Sequence, residues 1–321
     1  MKAISVEDGR LVWAAAEVPP LEAGAVRIQV RASAVNRADI VQRTGGYPPP
    51  PGASPILGLE CAGEVIEVGD GVTRVAPGDA VCALLAGGGY AEQVVVPAGQ
   101  VLKKPEALSF EEAAAVPEVF ATAYLNLYME AGLQPGERVL LHAGASGVGT
   151  AAIQLCKQTH NPTYVTVSGQ AKIDACVELG AEGGHDRAAG SFVDAVSEWH
   201  GGTGVDVTLD PVGQAYLADN LKVAALDGRI VLIGLMSGAV TELNMGVLMM
   251  KRVRLIGSTL RARSVAAKAE VMDGLQRDLW PALEDGRICP VIEEVVPMAD
   301  AQRAHNIVEG NQTIGKVVLT L

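Results

Sequence analysis

A glycine-rich turn between an apolar strand pattern and a helical pattern is the feature that most constrains how this chain folds. Residues 138–143 read Arg-Val-Leu-Leu-His-Ala, the glycines Gly144, Gly147 and Gly149 follow, and apolar side chains recur at helical spacing over 151–156. Glycine lets the backbone turn sharply and approach a ligand, while the next helix presents free N–H groups and a positive dipole end. The turn therefore predicts a diphosphate site. The expected contacts are Gly144, Ser146, Gly147, Val148 and Gly149.

Length and charge limit the classes of protein to which the chain can belong. At 321 residues it is expected to form about two domains, and no apolar run is long enough to span a bilayer. The formal net charge of −12 argues against nucleic acid as a partner, because phosphate binding needs basic surface. The N-terminal segment lacks the order of a signal peptide, so we expect a cytoplasmic protein with no membrane partner. The scattered cysteines include no Cys-x-x-Cys pair, which argues against disulfides and a tetrathiolate zinc site.

Two patterns divide the chain. The first hundred or so residues show short period-two runs separated by Gly and Pro, which favours a compact β-barrel. From Arg138 onward strand patterns alternate with helix-length spacers, which predicts a doubly wound parallel sheet. Ser109 and Glu112 form a capping box that opens a helix between the two parts, and the last strand pattern is expected to return to the first domain. The predicted strands are 26–32, 63–69, 79–85, 91–96, 138–143, 164–167, 205–209, 229–234, 254–258, 291–295 and 316–321.

Several short segments make the chain similar to a known family. They are Asn-Arg-Ala-Asp at 36–39, Gly-Gly-Tyr-Pro-Pro-Pro-Pro-Gly at 45–52, Leu-Gly-Leu-Glu at 57–60, the glycine turn at 142–149, Gly-Ser-Thr-Leu-Arg at 257–261 and Ile-Gly-Lys-Val-Val-Leu at 314–319. Together they resemble the zinc-free medium-chain dehydrogenases/reductases, especially the zeta-crystallin-like quinone oxidoreductases. The resemblance implies an α/β protein with a GroES-like β-barrel catalytic domain at 1–117 and 262–321. It also implies a Rossmann domain with a doubly wound parallel sheet at 118–261, a homodimer formed through that domain, and NADPH as cofactor.

The family comparison also bears on metal binding. Zinc-dependent relatives place a Cys and a His-Glu pair in the catalytic domain, whereas the matching segments here read Asn36-Arg-Ala-Asp39 and Leu59-Glu60. Neither a thiolate nor an imidazole is present at those positions, and the four close cysteines of a structural zinc lobe are missing. We therefore expect no metal and a metal-independent mechanism.

The cofactor preference is predicted from the end of the second Rossmann strand. An NAD site usually carries Asp or Glu there to bind the ribose 2′-hydroxyl. This chain has Ser168 in that segment and no carboxylate that would repel a 2′-phosphate. Lys172 and Arg187 are the cations expected to bind the phosphate, although the resemblance implies a Tyr at the position of Arg187. The prediction is NADPH over NADH, and the alternative is that both cations are ordinary solvated charges.

The remaining site residues follow from the resemblance. It implies that the nicotinamide lies where the two domains meet. The expected surroundings are Thr122, Leu235, Met236 and Leu260, with Asn311 as a further cofactor contact. Tyr47 is expected to donate a hydrogen bond to the acceptor oxygen, because a phenol with a reference pKa of about 10 stays protonated at neutral pH. Asn36 is expected to orient the acceptor or the nicotinamide ribose. The alternatives are a packing role for Tyr47, a turn-forming role for Asn36 and a backbone-capping role for Thr122. His142 is predicted to be a satisfied core residue.

Three functions are compatible with these residues. The first is NADPH-dependent hydride transfer to a quinone, in which the protein aligns the acceptor and stabilises the developing oxyanion. The second is reduction of an enone or enoyl thioester on the same scaffold. The third is a non-catalytic NADPH-binding or RNA-binding protein, and the acidic net charge argues against the RNA version.

Overall fold

The computed structural model describes residues 1–321, in which strands and helices alternate along most of the chain. The strands are β1 (Lys2–Glu7), β2 (Arg10–Ala15), β3 (Ala25–Ala34), β4 (Glu60–Val68), β5 (Ala80–Leu84), β6 (Gln93–Pro97), β7 (Val101–Lys103), β8 (Val139–His142), β9 (Thr163–Val167), β10 (Gly183–Asp186), β11 (Val205–Asp210), β12 (Ala224–Leu232), β13 (Arg254–Gly257), β14 (Ile292–Pro297) and β15 (Lys316–Thr320).

The helices are mostly short, and the longest, Val265–Asp278, has 14 residues. The α-helices are α1 (Arg37–Arg43), α2 (Phe110–Ala114), α3 (Pro117–Tyr124), α4 (Gly147–Gln158), α5 (Gln170–Leu179), α6 (Val193–Trp199), α7 (Leu217–Val223), α8 (Met245–Lys251), α9 (Val265–Asp278), α10 (Trp280–Glu284) and α11 (Ala301–Glu309). A π-helix at Leu125–Glu130 continues α3, and 3-10 turns occupy Ala98–Gln100, Arg187–Ala189 and Met298–Asp300. No helix combines the length and apolar character needed to cross a bilayer.

The chain forms two compact units. The first unit contains Met1–Ala121 and Leu260–Leu321, and the second unit contains Thr122–Thr259. The first unit is thus discontinuous in sequence, and its C-terminal segment supplies β14 and β15. The predicted return of the last strand is confirmed, because β15 pairs antiparallel with β3.

The first unit is built on a largely antiparallel seven-stranded sheet. Its order is β14-β15-β3-β4-β5-β7, with β6 pairing β3 off this path, and β1 and β2 form a separate hairpin. The alternating pattern of β3 places Val26, Ile28 and Val30 in an apolar cluster, each at most 1% exposed. Period-two burial of this kind is what the sequence pattern predicted.

The second unit is a six-stranded parallel sheet with helices between its strands. Its order is β10-β9-β8-β11-β12-β13, so the chain starts in the middle of the sheet and reverses direction between β8 and β11. Ligands of open parallel sheets bind outside the carboxyl ends of the strands at such a reversal. This confirms the doubly wound sheet and puts the glycine turn, which follows β8, at that edge.

Several elements differ from the sequence prediction. The β1–β2 hairpin was not predicted, although its turn is Asp8-Gly9 with φ of +48° and +77°, the dipeptide that such tight hairpin turns favour. Strand β10 was also not assigned, because Gly-Gly-His-Asp shows no apolar alternation and pairs only with β9. The capping box at Ser109 and Glu112 is confirmed, but α2 ends at Ala114.

Candidate active site

The glycine turn joins β8 to α4 in the second unit. Ser146 is the N-cap residue of α4, and its side-chain oxygen accepts a hydrogen bond from the Gly149 amide at 3.1 Å. A Cβ at Gly144 would lie 2.6 Å from a side chain of β9, and one at Gly149 would lie 2.3 Å from the Gly144 carbonyl oxygen. Both positions therefore exclude a side chain. The amides of Gly147 and Val148 start the helix and have no carbonyl partner within it.

This turn fits the diphosphate of a dinucleotide. Because Gly144 and Gly149 have no side chains, neither residue covers the N-terminus of α4. The helix dipole favours a negative group at that end. Ser146 uses one lone pair of its hydroxyl oxygen to cap Gly149, so its hydroxyl proton is available to a phosphate oxygen. The five turn residues predicted from sequence thus lie together.

The loop after β9 carries charges of both signs. Ser168 follows β9, and Lys172 lies partly buried in the first turn of α5. Asp186, which the sequence reasoning did not weigh, brings a carboxylate to the same loop. Backbone hydrogen bonds from Ala188 and Gly169 hold the pKa of Asp186 below its usual range, so it is ionised at neutral pH. A 2′-phosphate in this loop would meet both the cation of α5 and this carboxylate.

Arg187 lies directly after β10 and is exposed. Burial raises the pKa of Tyr216, and the positive charge of Arg187 acts in the opposite direction. The Tyr216 ring packs against Phe192, with ring centroids 5.2 Å apart. The exposed guanidinium is thus within electrostatic range of an aromatic cluster.

His142 is a buried, fully bonded residue of β8. Its Nδ1 lies 2.8 Å from Thr166 Oγ1 and its Nε2 lies 2.6 Å from Asn220 Oδ1. Because Asn220 Nδ2 donates to Asp210 Oδ2 at 2.8 Å, the Asn220 oxygen is the acceptor and His142 carries its proton on Nε2. Burial lowers the pKa of His142 and keeps the ring neutral. The prediction of a satisfied core histidine is confirmed.

Three further predicted cofactor contacts lie in the second unit. Leu235 and Met236 follow β12 and are 53% and 55% exposed. The Met236 amide donates to the Pro211 carbonyl at 3.2 Å, which ties this segment to the end of β11 at the carboxyl edge of the sheet. Thr122 lies in α3, and its carbonyl accepts a hydrogen bond from the Asn126 side chain at 2.7 Å. Leu235 and Met236 thus share the sheet edge with the glycine turn.

Asn36 precedes α1 in the first unit and is oriented by a buried ion pair. Glu60 Oε1 and Lys316 Nζ lie 2.8 Å apart, with side chains 0% and 4% exposed. Lys316 donates to Asn36 Oδ1 at 2.6 Å, and Asn36 Nδ2 donates to Glu60 Oε1 at 2.9 Å and to the Ala34 carbonyl at 3.3 Å. The orientation of the Asn36 amide is therefore set by the positive charge of Lys316 at its oxygen and the negative charge of Glu60 at its nitrogen. A ligand that accepts from Asn36 would replace the long contact with Ala34.

A second buried network supports the start of α1. Asp39 accepts hydrogen bonds from the Asn36 amide at 2.8 Å, the Gly58 amide at 3.0 Å and the Tyr90 hydroxyl at 3.2 Å. The Tyr90 hydroxyl also lies 3.2 Å from His305 Nε2. Burial raises the pKa of Asp39 to about 6 and lowers the pKa of His305 to about 3. Sequence reasoning missed this network, because its members are distant in sequence and form no motif.

Tyr47 lies beside a buried arginine. The Arg261 Cζ atom is 5.2 Å from the centroid of the Tyr47 ring, and the Arg261 side chain is anchored by hydrogen bonds to Gln42 Oε1 at 2.7 Å and the Ala86 carbonyl at 2.8 Å. Burial and the negative charge of Glu118 raise the pKa of Tyr47, while Arg261 lowers it. The phenol is therefore protonated at neutral pH and able to donate a hydrogen bond.

The last two predicted contacts also belong to the first unit. Leu260 is 6% exposed and directly precedes Arg261. Asn311 adopts a left-handed backbone conformation with φ of +55°, and its Oδ1 accepts from Arg37 at 2.6 Å. Arg37 is adjacent to Asn36, so Asn311 lies near the start of α1. Leu260 is instead adjacent to Arg261, which contacts the Tyr47 ring.

The residues of the first unit do not fit a zinc ion. No group of three or more His, Cys, Asp or Glu side chains is arranged to hold a metal in the described chain. Leu59 is 1% exposed and apolar, and the Asn36 amide is bonded to Lys316 and Glu60. Neither residue supplies a thiolate or an imidazole.

Both parts of the chain are similar to known proteins. Residues 22–106 match the family model of the alcohol dehydrogenase GroES-like domain, and residues 147–276 match that of the zinc-binding dehydrogenases. A quinone oxidoreductase-like protein 2 homolog from Nematostella vectensis is 30% identical over 296 residues, which cover 92% of this chain and 81% of that protein. Polyketide synthase GfsB from Streptomyces halstedii is 36% identical over 309 residues, 96% of this chain. The chain spans only 5% of the length of that synthase.

Solved structures resemble the whole chain. The quinone oxidoreductase of Escherichia coli, solved in complex with NADPH, is 29% identical with a TM-score of 0.88, and each chain is covered to 100%. The apo JamJ enoyl reductase is 26% identical with a TM-score of 0.87, covering 99% of this chain and 98% of that one.

A GroES-like domain joined to a Rossmann-type domain defines an oxidoreductase that uses a nicotinamide nucleotide, as the sequence predicted. Within that class, the chain belongs to the zinc-free quinone oxidoreductase group of the medium-chain dehydrogenase/reductase family. The family expectation drawn from the sequence segments is confirmed.

Replacing Gly149 with Ala is expected to displace the glycine turn, because the new Cβ would lie 2.3 Å and 2.6 Å from two backbone carbonyl oxygens. Fluorescence titration should find the Kd for NADPH raised about tenfold or more, the equivalent of about 1.4 kcal/mol. Gly257→Ala is the matched control, since no atom lies within 4 Å of a Cβ there. Equal NADPH affinity in the Gly149→Ala variant and the native protein would contradict the diphosphate site.

Proposed function

We propose that this protein is an NADPH-dependent reductase that transfers a hydride to quinones without a metal. The observation that carries the proposal is the pairing of a protonated phenol with a buried guanidinium at Tyr47 and Arg261, in a unit whose residues do not fit zinc. The full-length likeness to the NADPH complex of a quinone oxidoreductase supports the choice of cofactor and acceptor.

In this mechanism the chain's own residues bind the cofactor, orient the acceptor and stabilise the negative charge that develops on it. NADPH, when bound, supplies the hydride. The glycine turn and the N-terminus of α4 hold its diphosphate, with Ser146 capping the helix. Tyr47 donates its hydroxyl hydrogen bond to the acceptor oxygen as negative charge develops there, and the nearby cation of Arg261 favours that charge. Asn36, with its amide fixed by Lys316 and Glu60, orients the acceptor or the nicotinamide ribose.

The second candidate function is reduction of an enone or enoyl thioester. The likeness to the JamJ enoyl reductase and to a segment of a polyketide synthase favours it. The same phenol would then stabilise an enolate oxygen instead of a quinol oxygen. The two functions differ in the acceptor, so an acceptor panel separates them.

Naphthoquinones and phenanthrenequinone are expected to oxidise NADPH in the presence of the protein, and crotonyl-type thioesters and simple enones are not. Tyr47→Phe should lower kcat with quinones by about a hundredfold, since loss of one oxyanion donor costs roughly 10²–10³. Tyr164→Phe is the control, because the Tyr164 hydroxyl bonds the Gly184 carbonyl within the second unit. Faster turnover of thioesters than of quinones would favour the second function. No turnover with any acceptor would reject both and favour a non-catalytic NADPH-binding protein.

The preference for NADPH over NADH rests on the charges of the loop after β9. Lys172 lies in the first turn of α5 and Arg187 directly after β10, and each would add a charge-assisted hydrogen bond to a 2′-phosphate. Such bonds contribute about 1.5–3 kcal/mol each. The carboxylate of Asp186 opposes them, but it is only partly buried, so solvent and salt weaken its effect.

Lys172→Ala is expected to raise the KM for NADPH about tenfold and leave the KM for NADH unchanged, because only NADPH carries the 2′-phosphate. Asp186→Asn should act in the opposite direction and lower the KM for NADPH. Steady-state kinetics with both nucleotides measures this. Similar KM values for NADPH and NADH in the native protein, unchanged by either substitution, would contradict the cofactor assignment.

We also propose that two copies of the chain associate through the outer edge of β13. This strand ends the sheet order of the second unit, so its outer edge has no partner within the chain. The preceding helix α8 exposes Met245, Met249 and Met250 at 74%, 69% and 72%, and Val240 is 81% exposed. An apolar patch next to an unpaired strand edge is a surface that a second copy would cover.

Replacing both Met249 and Met250 with Lys is expected to convert a dimer into a monomer, since four charges would face one another across a two-fold interface. Sedimentation velocity gives the mass of each form. Val295→Lys, at an exposed apolar position of β14, is the control that should remain dimeric. A native protein that sediments as a monomer would contradict the association.

A further inference from the structure

The segment that carries Tyr47 lies between α1 and β4 and contains neither helix nor strand. Residues 44–55 of this segment are called the Tyr47 loop below. The four consecutive prolines at 48–51 donate no backbone hydrogen bond, so no backbone ladder can fix this part of the loop. At the start of the loop, the Gly45 amide donates to the Gln42 carbonyl at 2.9 Å. The position of Tyr47 therefore depends on side-chain contacts.

The side chain of Gln42 joins the Tyr47 loop to a buried cation. Gln42 lies in the last turn of α1, just before the loop. Its Oε1 accepts a hydrogen bond from Arg261 Nη2 at 2.7 Å, and its Nε2 donates to the Pro55 carbonyl at 3.0 Å. A guanidinium only donates and a carbonyl only accepts, so the orientation of this amide is fixed. Gln42 thus connects the start of the loop with its last residue and both with Arg261.

Arg261 contacts Tyr47 at the ring and at the main chain. The Arg261 Cζ atom lies 5.2 Å from the centroid of the Tyr47 ring, within the range of a cation–π contact, and Nη1 donates to the Tyr47 carbonyl at 3.4 Å. The bonds from Nε to the Ala86 carbonyl at 2.8 Å and from Nη2 to Gln42 together fix the plane of the guanidinium. Arg261 is 3% exposed, so water has little access to replace a lost partner. The surface on which the Tyr47 ring packs therefore depends on Gln42.

Other contacts keep the surroundings of Arg261 in place independently of Gln42. Lys268 on α9 is 5% exposed, and its Nζ donates to the Arg261 carbonyl at 3.3 Å, which holds the main chain there. The Gly88 amide donates to the Ile56 carbonyl at 2.8 Å, which ties the segment after β5 to the residue that follows the Tyr47 loop. A change at Gln42 is therefore expected to release the guanidinium and the loop rather than the fold around them.

We propose that Gln42 is a positioning residue that holds the Tyr47 hydroxyl where the acceptor oxygen binds. This inference rests on the proposed function. Gln42 acts through the Arg261 guanidinium and the Pro55 carbonyl, and it exchanges no proton and forms no covalent bond. A catalytic hydrogen-bond donor must hold its position closely, because a displacement of about 1 Å can cost roughly a hundredfold in rate.

Gln42→Met tests the proposal, because methionine keeps the length of the side chain and removes both hydrogen bonds. With a naphthoquinone we expect kcat to fall about tenfold, while the KM for NADPH stays unchanged. Gln42→Glu keeps an acceptor for Arg261 Nη2 and should lose less of kcat than Gln42→Met.

Gln302→Met is the matched control in the same unit. Gln302 Oε1 accepts from the Leu11 amide at 3.1 Å, and its Nε2 donates to Asn306 Oδ1 at 2.9 Å. This substitution also removes two hydrogen bonds of a partly buried glutamine, but neither bond leads to Arg261 or the Tyr47 loop. It should leave kcat and the KM for NADPH unchanged.

A double-mutant cycle with Tyr47→Phe separates positioning from a general structural role. In the Tyr47→Phe background, Gln42→Met should lower kcat by less than about threefold, because the hydroxyl that Gln42 positions is already absent. A structural defect would instead lower kcat about tenfold in either background, since independent effects add as free energies.

A native protein that reduces quinones, together with a Gln42→Met variant of native kcat or of equal loss in both backgrounds, would overturn the inference and leave the proposed function standing. A native protein that reduces no quinone would overturn both. NADPH fluorescence on binding identifies a variant that has failed to fold. Gln42→Asn then takes its place in the cycle, because its side chain is one methylene too short to bond Arg261 and Pro55 together.

Discussion

The buried ion pair between Glu60 and Lys316 is the interaction on which the polar centre of the first unit depends. Removing two charges from water costs several kcal/mol per ion, which complete hydrogen bonding must offset. Glu60 receives donors from Lys316, Asn36 and the Glu118 amide, and Lys316 also donates to the Val35 carbonyl. Because one bonded set joins β4, β15, the start of α1 and the start of α3, loss of either charge would disturb each of these elements.

The two units use different chemistry for their parts of the proposed reaction. The second unit relies on backbone groups: glycines that exclude side chains and a helix N-terminus that favours an anion. The first unit relies on side chains: the phenol of Tyr47 beside the buried guanidinium of Arg261, and the Asn36 amide oriented by Lys316 and Glu60. Backbone amides bind a phosphate at any ordinary pH, whereas the Tyr47 phenol must stay protonated to donate a hydrogen bond, and its raised pKa ensures this at neutral pH.

Local patterns account for the part of the fold that the sequence predicts well. The glycine turn, the capping box at Ser109 and the alternation of β3 are each readable over a few residues. Strand β10 was not predictable in this way, because its four residues are held by pairing with β9 and show no apolar pattern of their own. The Asp8-Gly9 turn, in contrast, was a local signal that would have revealed the first hairpin.

The candidate site was only partly accessible from sequence. The choice of Tyr47 and Asn36 came from family resemblance, and their surroundings came from tertiary contacts between distant segments. Neither the contact of Arg261 with the Tyr47 ring nor the proximity of Glu118 to Glu60 leaves any spacing in the chain that a motif search would detect. The charge of Asp186 was visible in the sequence, but its bond to the Gly169 amide depends on the pairing of β10 with β9.

The pairing of β3 with β15 also sets an order of events during biosynthesis. A ribosome releases Glu60 and Asn36 long before Lys316, so the carboxylate has no cation while most of the chain is being made. All strands of the second unit lie within one continuous segment, Thr122–Thr259, and can assemble earlier. Residues Ala25–Gln29 of β3 can already pair with β6, whereas the Ala32–Ala34 end keeps an unpaired edge until β15 leaves the ribosome, which exposes it to pairing with other chains during that interval.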